Sequence, residues 1–118
     1  MAQIPRTEVS KLLLVTLNNL YEIERKLKMH GDIGNALRNV HKIKESFTDE
    51  GFFYEDPYGQ IFKETRTDLE ATISGEGTDN LLVIEVIKPI IRAGTSQFSH
   101  VVQKGIVVVQ STENEVSK

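Results

Sequence analysis

Asp49-Glu50-Gly51-Phe52-Phe53-Tyr54-Glu55-Asp56-Pro57-Tyr58-Gly59 is where the chain changes its hydrophobic rhythm. Before it, apolar residues recur every three or four positions, as on one face of a helix. After it they alternate or run together, as in strands. Gly51 suits the left-handed residue that ends a helix, because it has no Cβ to clash there. Phe52-Phe53-Tyr54-Glu55 is aromatic and β-prone. Asp56-Pro57-Tyr58-Gly59 is turn chemistry, since proline presets its φ and glycine accepts a positive one. A helical part followed by a β part is the expectation.

Upstream, Val9, Leu13, Leu17, Leu20 and Ile23 form a helical row that Leu27 extends. Thr7 is a candidate N-cap and Glu8 is well placed against the helix dipole. Leu12, Leu14, Val15 and Tyr21 widen the apolar surface, so more than one neighbour is required. Gly31 suits the end of this helix and Asp32 the cap of the next. The second helix is expected to run through Ile33, Ala36, Leu37, Val40, Ile43 and Phe47. Two helices alone leave faces uncovered, so a second copy is expected to close a four-helix bundle. Leu13, Leu17, Leu20, Leu37, Val40 and Ile43 are its expected dimerisation residues.

Downstream, Thr67, Leu69, Ala71 and Ile73 alternate with polar residues as a half-buried strand does. Ser74 to Asn80 reads as a polar loop and Leu81 to Ile91 as a long β-branched run. Pro89 marks an edge or a break, because it cannot donate to a sheet ladder. Ala93-Gly94-Thr95-Ser96 is a turn, Phe98 to Val102 a short strand, and Ile106 to Val109 a final one. The expected fold class is α+β. A helical hairpin over 7–50 follows a tail over 1–6. A small, mainly antiparallel β head of four to six strands covers 51–110, with a frayed tail over 111–118.

Composition narrows the function classes. Net charge is −3 over 118 residues, with basic and acidic residues mixed along the chain. That is no footprint for nucleic acid, whose binders concentrate Lys and Arg on one face. The absence of cysteine excludes disulfides, thiol catalysis and thiolate metal sites. No stretch approaches the ~20 apolar residues of a membrane span. A cytoplasmic protein without membrane association is expected.

Enzyme signatures are missing. His30, His41 and His100 stand at no metal-ligand spacing, and read as surface or helix-end residues. The pairs Asp49-Glu50 and Glu55-Asp56 sit at element ends, where capping and turn roles explain them. Gly75-Glu76-Gly77 lacks the lysine and helix of a phosphate loop. A non-enzymatic chain needing no cofactor or metal is expected.

One set of residues is more specific. Gly51-Phe52 followed by Asp56-Pro57-x-Gly59-x-x-Phe62 resembles the bundle-to-head junction of GrpE-type nucleotide exchange factors, which reads "G-V" and then "D-P-x-G-x-x-F-D-P". Lys11-Leu12-Leu13-Leu14-Val15-Thr16-Leu17-Asn18-Asn19-Leu20 resembles the family's "L-L-x-V-L-D-N-L" bundle helix. Gly105-Ile106-Val107-Val108-Val109 falls where the family ends in "A-x-V-x-V". The order holds from about Ser10 to Gln110. Departures are Lys63-Glu64 for the family's Asp-Pro, Thr67-Asp68-Leu69 for "H-E-A", a loose match of Ile87-Lys88-Pro89-Ile90 to "Q-K-G-Y", and Gln103 in place of an arginine. The long N-terminal helix of typical members has no counterpart. The resemblance implies a homodimer whose β head opens the nucleotide cleft of a DnaK-type ATPase. The head contacts it suggests are Arg66, Arg92, His100, Gln103 and Lys104. A dimeric adaptor or assembly factor with this fold and a different protein partner is the alternative.

Overall fold

The computed structural model describes residues 9–112. The expected 1–6 tail, the Thr7 cap, Glu8 and residues 113–118 lie outside them. The fold is α+β, in the order α1 (Lys11–His30), α2 (Leu37–Asp49), β1 (Phe52–Glu55), β2 (Ile61–Phe62), β3 (Leu69–Ser74), β4 (Leu81–Lys88), β5 (Ile90–Gly94), β6 (Ser99–Gln103) and β7 (Gly105–Ser111).

The chain forms two compact units. The first takes the described residues up to Tyr54 together with Ile91–Val102; the second takes Glu55–Ile90 and the chain from Gln103 onward. Both helices thus group with β1, β5 and β6, whereas the expected boundary fell between residues 50 and 51. The strands form a three-stranded sheet ordered β1-β5-β6 and a four-stranded sheet ordered β2-β4-β7-β3.

In the first unit, the Ser10 hydroxyl accepts from the Leu13 amide at 3.0 Å and caps α1. Gly31 ends this helix at φ 104, with its N–H on the Leu27 carbonyl at 2.9 Å. Asp32 does not start α2 directly. Its carboxylate reaches forward to the amides of Ala36 at 2.6 Å and Leu37 at 3.0 Å, taking two donors that a helix start leaves orphaned. The intervening residues form a turn, and Ile33, expected on the helix, is fully exposed. Gly51 stands at φ 94 after α2, as the helix-stop reading required.

Leu17, Leu20 and Val40 form a buried cluster with Ile91 of β5, and Leu13, Leu14, Leu27, Phe47, Phe52, Tyr54 and Val102 pack around it. Burial on this scale stabilises by about 1.5–3 kcal/mol for each fully enclosed aliphatic side chain. Leu17, Leu20 and Val40, expected at a dimer seam, are therefore covered by their own chain. The β1-β5-β6 sheet supplies the missing neighbour, and a helical pattern cannot reveal whether the neighbour is a helix or a sheet.

The second unit is a twice-bulged sheet. β7 pairs antiparallel with β4 and parallel with β3, and β2 adds antiparallel to β4. The parallel β3–β7 pairing is an addition to the mainly antiparallel expectation. β2 is a two-residue strand with no periodicity of its own, which raises the count to seven among the described residues. Along β7, Gly105, Val107, Val109 and Ser111 are buried while the residues between them are partly exposed. Gly105 has a steric reason: a Cβ there would lie 2.8 Å from Leu69 Cδ2 and 2.9 Å from Ile90 Cγ1. Ser111, expected in a frayed tail, is buried and donates to the Asp79 carbonyl at 2.6 Å.

Candidate functional site

In β4, Val83 faces Val109 and Glu85 faces Val108, so Ile84 is an extra residue; between Val86 and Lys88, Ile87 is another. A bulge inserts one unpaired residue and re-aims the side chains around it. Ile84 is 38% exposed and Ile87 50%, although both belong to the most apolar run of the chain. Each inserted residue resets the alternation, so Val83 and Val86 stay buried while the two isoleucines face water.

The Asp56-Pro57-Tyr58-Gly59 turn lies alongside the first bulge. Asp56 accepts from the Tyr58 amide at 3.1 Å, the Gly59 N–H donates to the Val83 carbonyl at 3.0 Å, and the Val83 N–H donates to the Gln60 carbonyl at 2.9 Å. Pro57 is fully buried, and this fixes the loop while Tyr58 and Ile61 remain largely exposed. Tyr58 of the turn, Ile61 of β2, and Ile84 and Ile87 of β4 are thus all exposed apolar residues of the second unit. Exposed large apolar residues of this kind are what protein recognition uses.

The expected contact residues fare differently. Arg66 spans its fork across Asp68, with Nε to Oδ1 and Nη2 to Oδ2 both at 3.0 Å, and its Nη1 donates to the Gln60 side chain at 2.9 Å. It braces the turn and the start of β3. Gln103 donates from Nε2 to the Pro89 carbonyl at 3.0 Å, which satisfies an acceptor at the β4–β5 break. Lys104 is exposed in the second unit, whereas His100 is exposed and Arg92 half-buried in the first. The five thus divide between the units, and two of them hold the fold.

A polar cluster that periodicity could not show lies in the first unit. Glu24 of α1 is buried, and its carboxylate accepts from Tyr54 Oη at 2.5 Å and from Lys44 Nζ at 3.1 and 3.3 Å. Lys28 Nζ stands 3.2 Å away and His41 Nε2 3.7 Å. Tyr54 also meets Tyr21 edge to face, with 5.6 Å between centroids, and Lys44 sits 4.7 Å over the Tyr54 ring. Burial alone would raise the Glu24 pKa, but the hydrogen bonds from Tyr54, Lys44 and Lys28 and the Lys44 charge outweigh it and bring it down to about 2. A carboxylate held that low is a poor proton acceptor near neutrality. Its work is to tie α1, α2 and β1 together. The one available signal was the apolar helix face on which Glu24 sits, four residues before Lys28.

No family model, curated protein or solved structure matches the chain. Among the described residues no helix is long and apolar enough to cross a membrane, and no group of three or more His, Asp or Glu is arranged to hold a metal ion.

Proposed function

We propose that this chain is a protein-binding module of GrpE-like design, which docks through the bulged β2–β4 side of its second unit onto a DnaK-type ATPase and favours release of its nucleotide. The observation that carries the reading is the exposure of Ile84 and Ile87 at the two bulges of β4, the first of which is hydrogen-bonded to the Asp56–Gly59 turn. The motif that resembles the family's junction is the same one that this turn forms. A partner moves an opening equilibrium only by binding the open state better than the closed one, so no cofactor is required.

Pairing of two copies through α1 completes the proposal. Leu12, Val15 and Ile23 stay exposed after the chain has covered its own core, at 75%, 48% and 46%. Their spacing of three and eight positions places them on one stripe of the helix, and Ile43 of α2 is exposed too. This stripe, rather than the buried Leu17, Leu20 and Val40, is the surface for a second copy.

Release of a fluorescent ADP analogue from a DnaK-type ATPase tests the reading. An acceleration of about tenfold or more at saturating protein, lost in Ile84→Ser/Ile87→Ser, is expected. No acceleration would remove the exchange activity. The adaptor reading gains from one feature: Arg66 and Gln103, two of the polar residues placed at the ATPase by the resemblance, are occupied within the fold. Sedimentation at micromolar concentration checks the pairing, with a Leu12→Glu variant expected to be monomeric.

A further inference from the structure

Averaged over the chain the charges mix, but along it they do not. Of the 14 Lys and Arg, six lie between Arg25 and Lys44, and of the 17 Asp and Glu only Asp32 does. This stretch covers the end of α1, the turn after it and the first part of α2. Glu24, six residues before the end of α1, pairs with His41 and Lys44, four and seven residues after the start of α2. The helices therefore run antiparallel away from the turn, with their flanks at matched depth. Lys26 and Lys42 stand four and five residues from the helix ends that meet the turn. At about 1.5 Å per residue both lie within about 8 Å of it along the helix axes.

Three of the six cations have partners within the fold: Lys28 and Lys44 on Glu24, and Arg25 at 3.6 Å from Glu22. Lys26, Arg38 and Lys42 are exposed, and no ion pair joins them to a described residue. Asp32, the one acid, has both carboxylate oxygens on the amides of Ala36 and Leu37. The turn end of the helical hairpin is thus cationic in a chain whose net charge is −3.

Its tip is apolar where turn chemistry calls for polar residues. Ile33, set among Asp32, Gly34 and Asn35, is 103% exposed, and Met29 in the last turn of α1 is 70% exposed. The backbone that holds Ile33 out is fixed. Gly31, at φ 104, donates to the Leu27 carbonyl at 2.9 Å, and Asn35, at φ 62, donates to the Asp32 carbonyl at 3.0 Å. A side chain this exposed has no shelf of its own chain beside it, so it projects instead of lining a groove. Nucleic acid would use the cations and gain nothing from an isoleucine. A protein partner would have to supply a matching pocket. A bilayer admits a projecting apolar side chain between headgroups whose anionic groups meet the surrounding cations.

We propose that the α1–α2 turn of the first unit docks on an anionic lipid bilayer surface, with Ile33 inserted below the headgroups and Lys26, Arg38 and Lys42 held at the lipid phosphates and carboxylates. Such a contact lies on the bilayer and needs no membrane span. One apolar insertion and a few cations bind reversibly, so the contact responds to salt and to lipid charge. The inference goes beyond the ATPase-docking reading and does not depend on it, since the two surfaces belong to different units.

Co-sedimentation of the full chain with lipid vesicles tests it, using phosphatidylcholine alone and phosphatidylcholine with about one-third phosphatidylserine. The anionic vesicles bind at least about tenfold more tightly than the neutral ones, and about 0.5 M salt releases the protein. Ile33→Ser and the double change Arg38→Glu/Lys42→Glu, all at exposed positions, each weaken this binding about tenfold or more at an unchanged urea midpoint. The chain has no tryptophan, so Ile33→Trp supplies a single reporter, whose emission shifts to the blue on anionic vesicles. Equal binding to both vesicle types, no binding at millimolar lipid, full binding by Ile33→Ser, or an unshifted emission overturns the proposal. So does tighter binding of a polyglutamate peptide or of duplex DNA than of the anionic vesicles, which would assign the cations to a protein or a nucleic acid.

Discussion

The two units bury opposite kinds of interior. In the first, helices and a three-stranded sheet enclose Leu17, Leu20, Val40 and Ile91, and beside that cluster a carboxylate is buried with cationic and phenolic partners around it. In the second, the buried hydrophobic side chains are Leu69, Leu81, Val83, Val86, Ile90, Val107 and Val109, and the one buried polar side chain among the described residues is the neutral Ser111. A charge is tolerated inside a protein when hydrogen-bonded partners replace the water it loses, and is costly where they do not. The first unit carries that replacement around the buried Glu24, whereas no charged side chain is buried among the described residues of the second. Their responses to charge, acid and truncation should therefore separate.

Val107→Asp should have the largest effect. Val107 is completely buried, and a carboxylate there would meet only aliphatic neighbours and backbone already engaged in the ladders to β3 and β4. A loss of at least about 4 kcal/mol is expected, enough to unfold a marginal domain. Urea denaturation followed by circular dichroism measures it. A soluble, cooperatively folded variant would show that the second unit is wetter inside than its residues imply.

Glu24→Ala comes next, at about 3 kcal/mol, because it leaves Lys44 and the Tyr54 hydroxyl facing a site with no acceptor. Replacing Glu24 and Lys44 together by leucine should cost far less than the sum of the two single changes, and a double-mutant cycle checks it.

Acid should act on the first unit through the same carboxylate. Its pKa is depressed from 4.5 to about 2, so the ionised form stabilises the fold fully above about pH 5. That contribution is lost as pH falls towards 2, over which it amounts to about 2–3 kcal/mol. Unfolding free energy measured against pH should fall less steeply in Glu24→Gln than in the unaltered protein across that window. Parallel curves would mean that the Glu24 charge is not coupled to folding.

Tyr54→Phe, which removes one donor to Glu24 and keeps the ring against Tyr21, should cost about 1 kcal/mol. The smallest effect on stability belongs to Ile84→Ser/Ile87→Ser, about 0.5 kcal/mol or less for each exposed substitution. Loss of partner binding at unchanged urea midpoint would mark the bulged strand as a recognition surface. A large drop in midpoint would show instead that these isoleucines pack.

Much of the local structure was legible in the residues because short-range physics decides it. Gly31 and Gly51 end the helices where a Cβ-free residue was required, Asp56-Pro57-Tyr58-Gly59 turns the chain, and Pro89 separates two strands. The start of α2 was misplaced because Asp32 caps over a distance of four and five residues, with the turn in between. Ile84 and Ile87 could not be read as exposed, because a bulge depends on the register of β4 against β7 and not on the composition of β4. The Glu24 cluster joins residues up to thirty positions apart, which no local spacing encodes.

The sequence by itself determined an α+β chain with two helices, a switch to strands at Gly51, and most of the strand and turn positions. These follow from backbone sterics and side-chain periodicity within a few residues. Only the tertiary structure decided that β5 and β6 join the helices in one unit while β7 lies between β4 and β3 in the other. It also decided which apolar residues are hidden. Pairing partners are chosen by long-range packing, and a helix face carries the same apolar pattern whether a sheet of its own chain or a second helix comes to cover it.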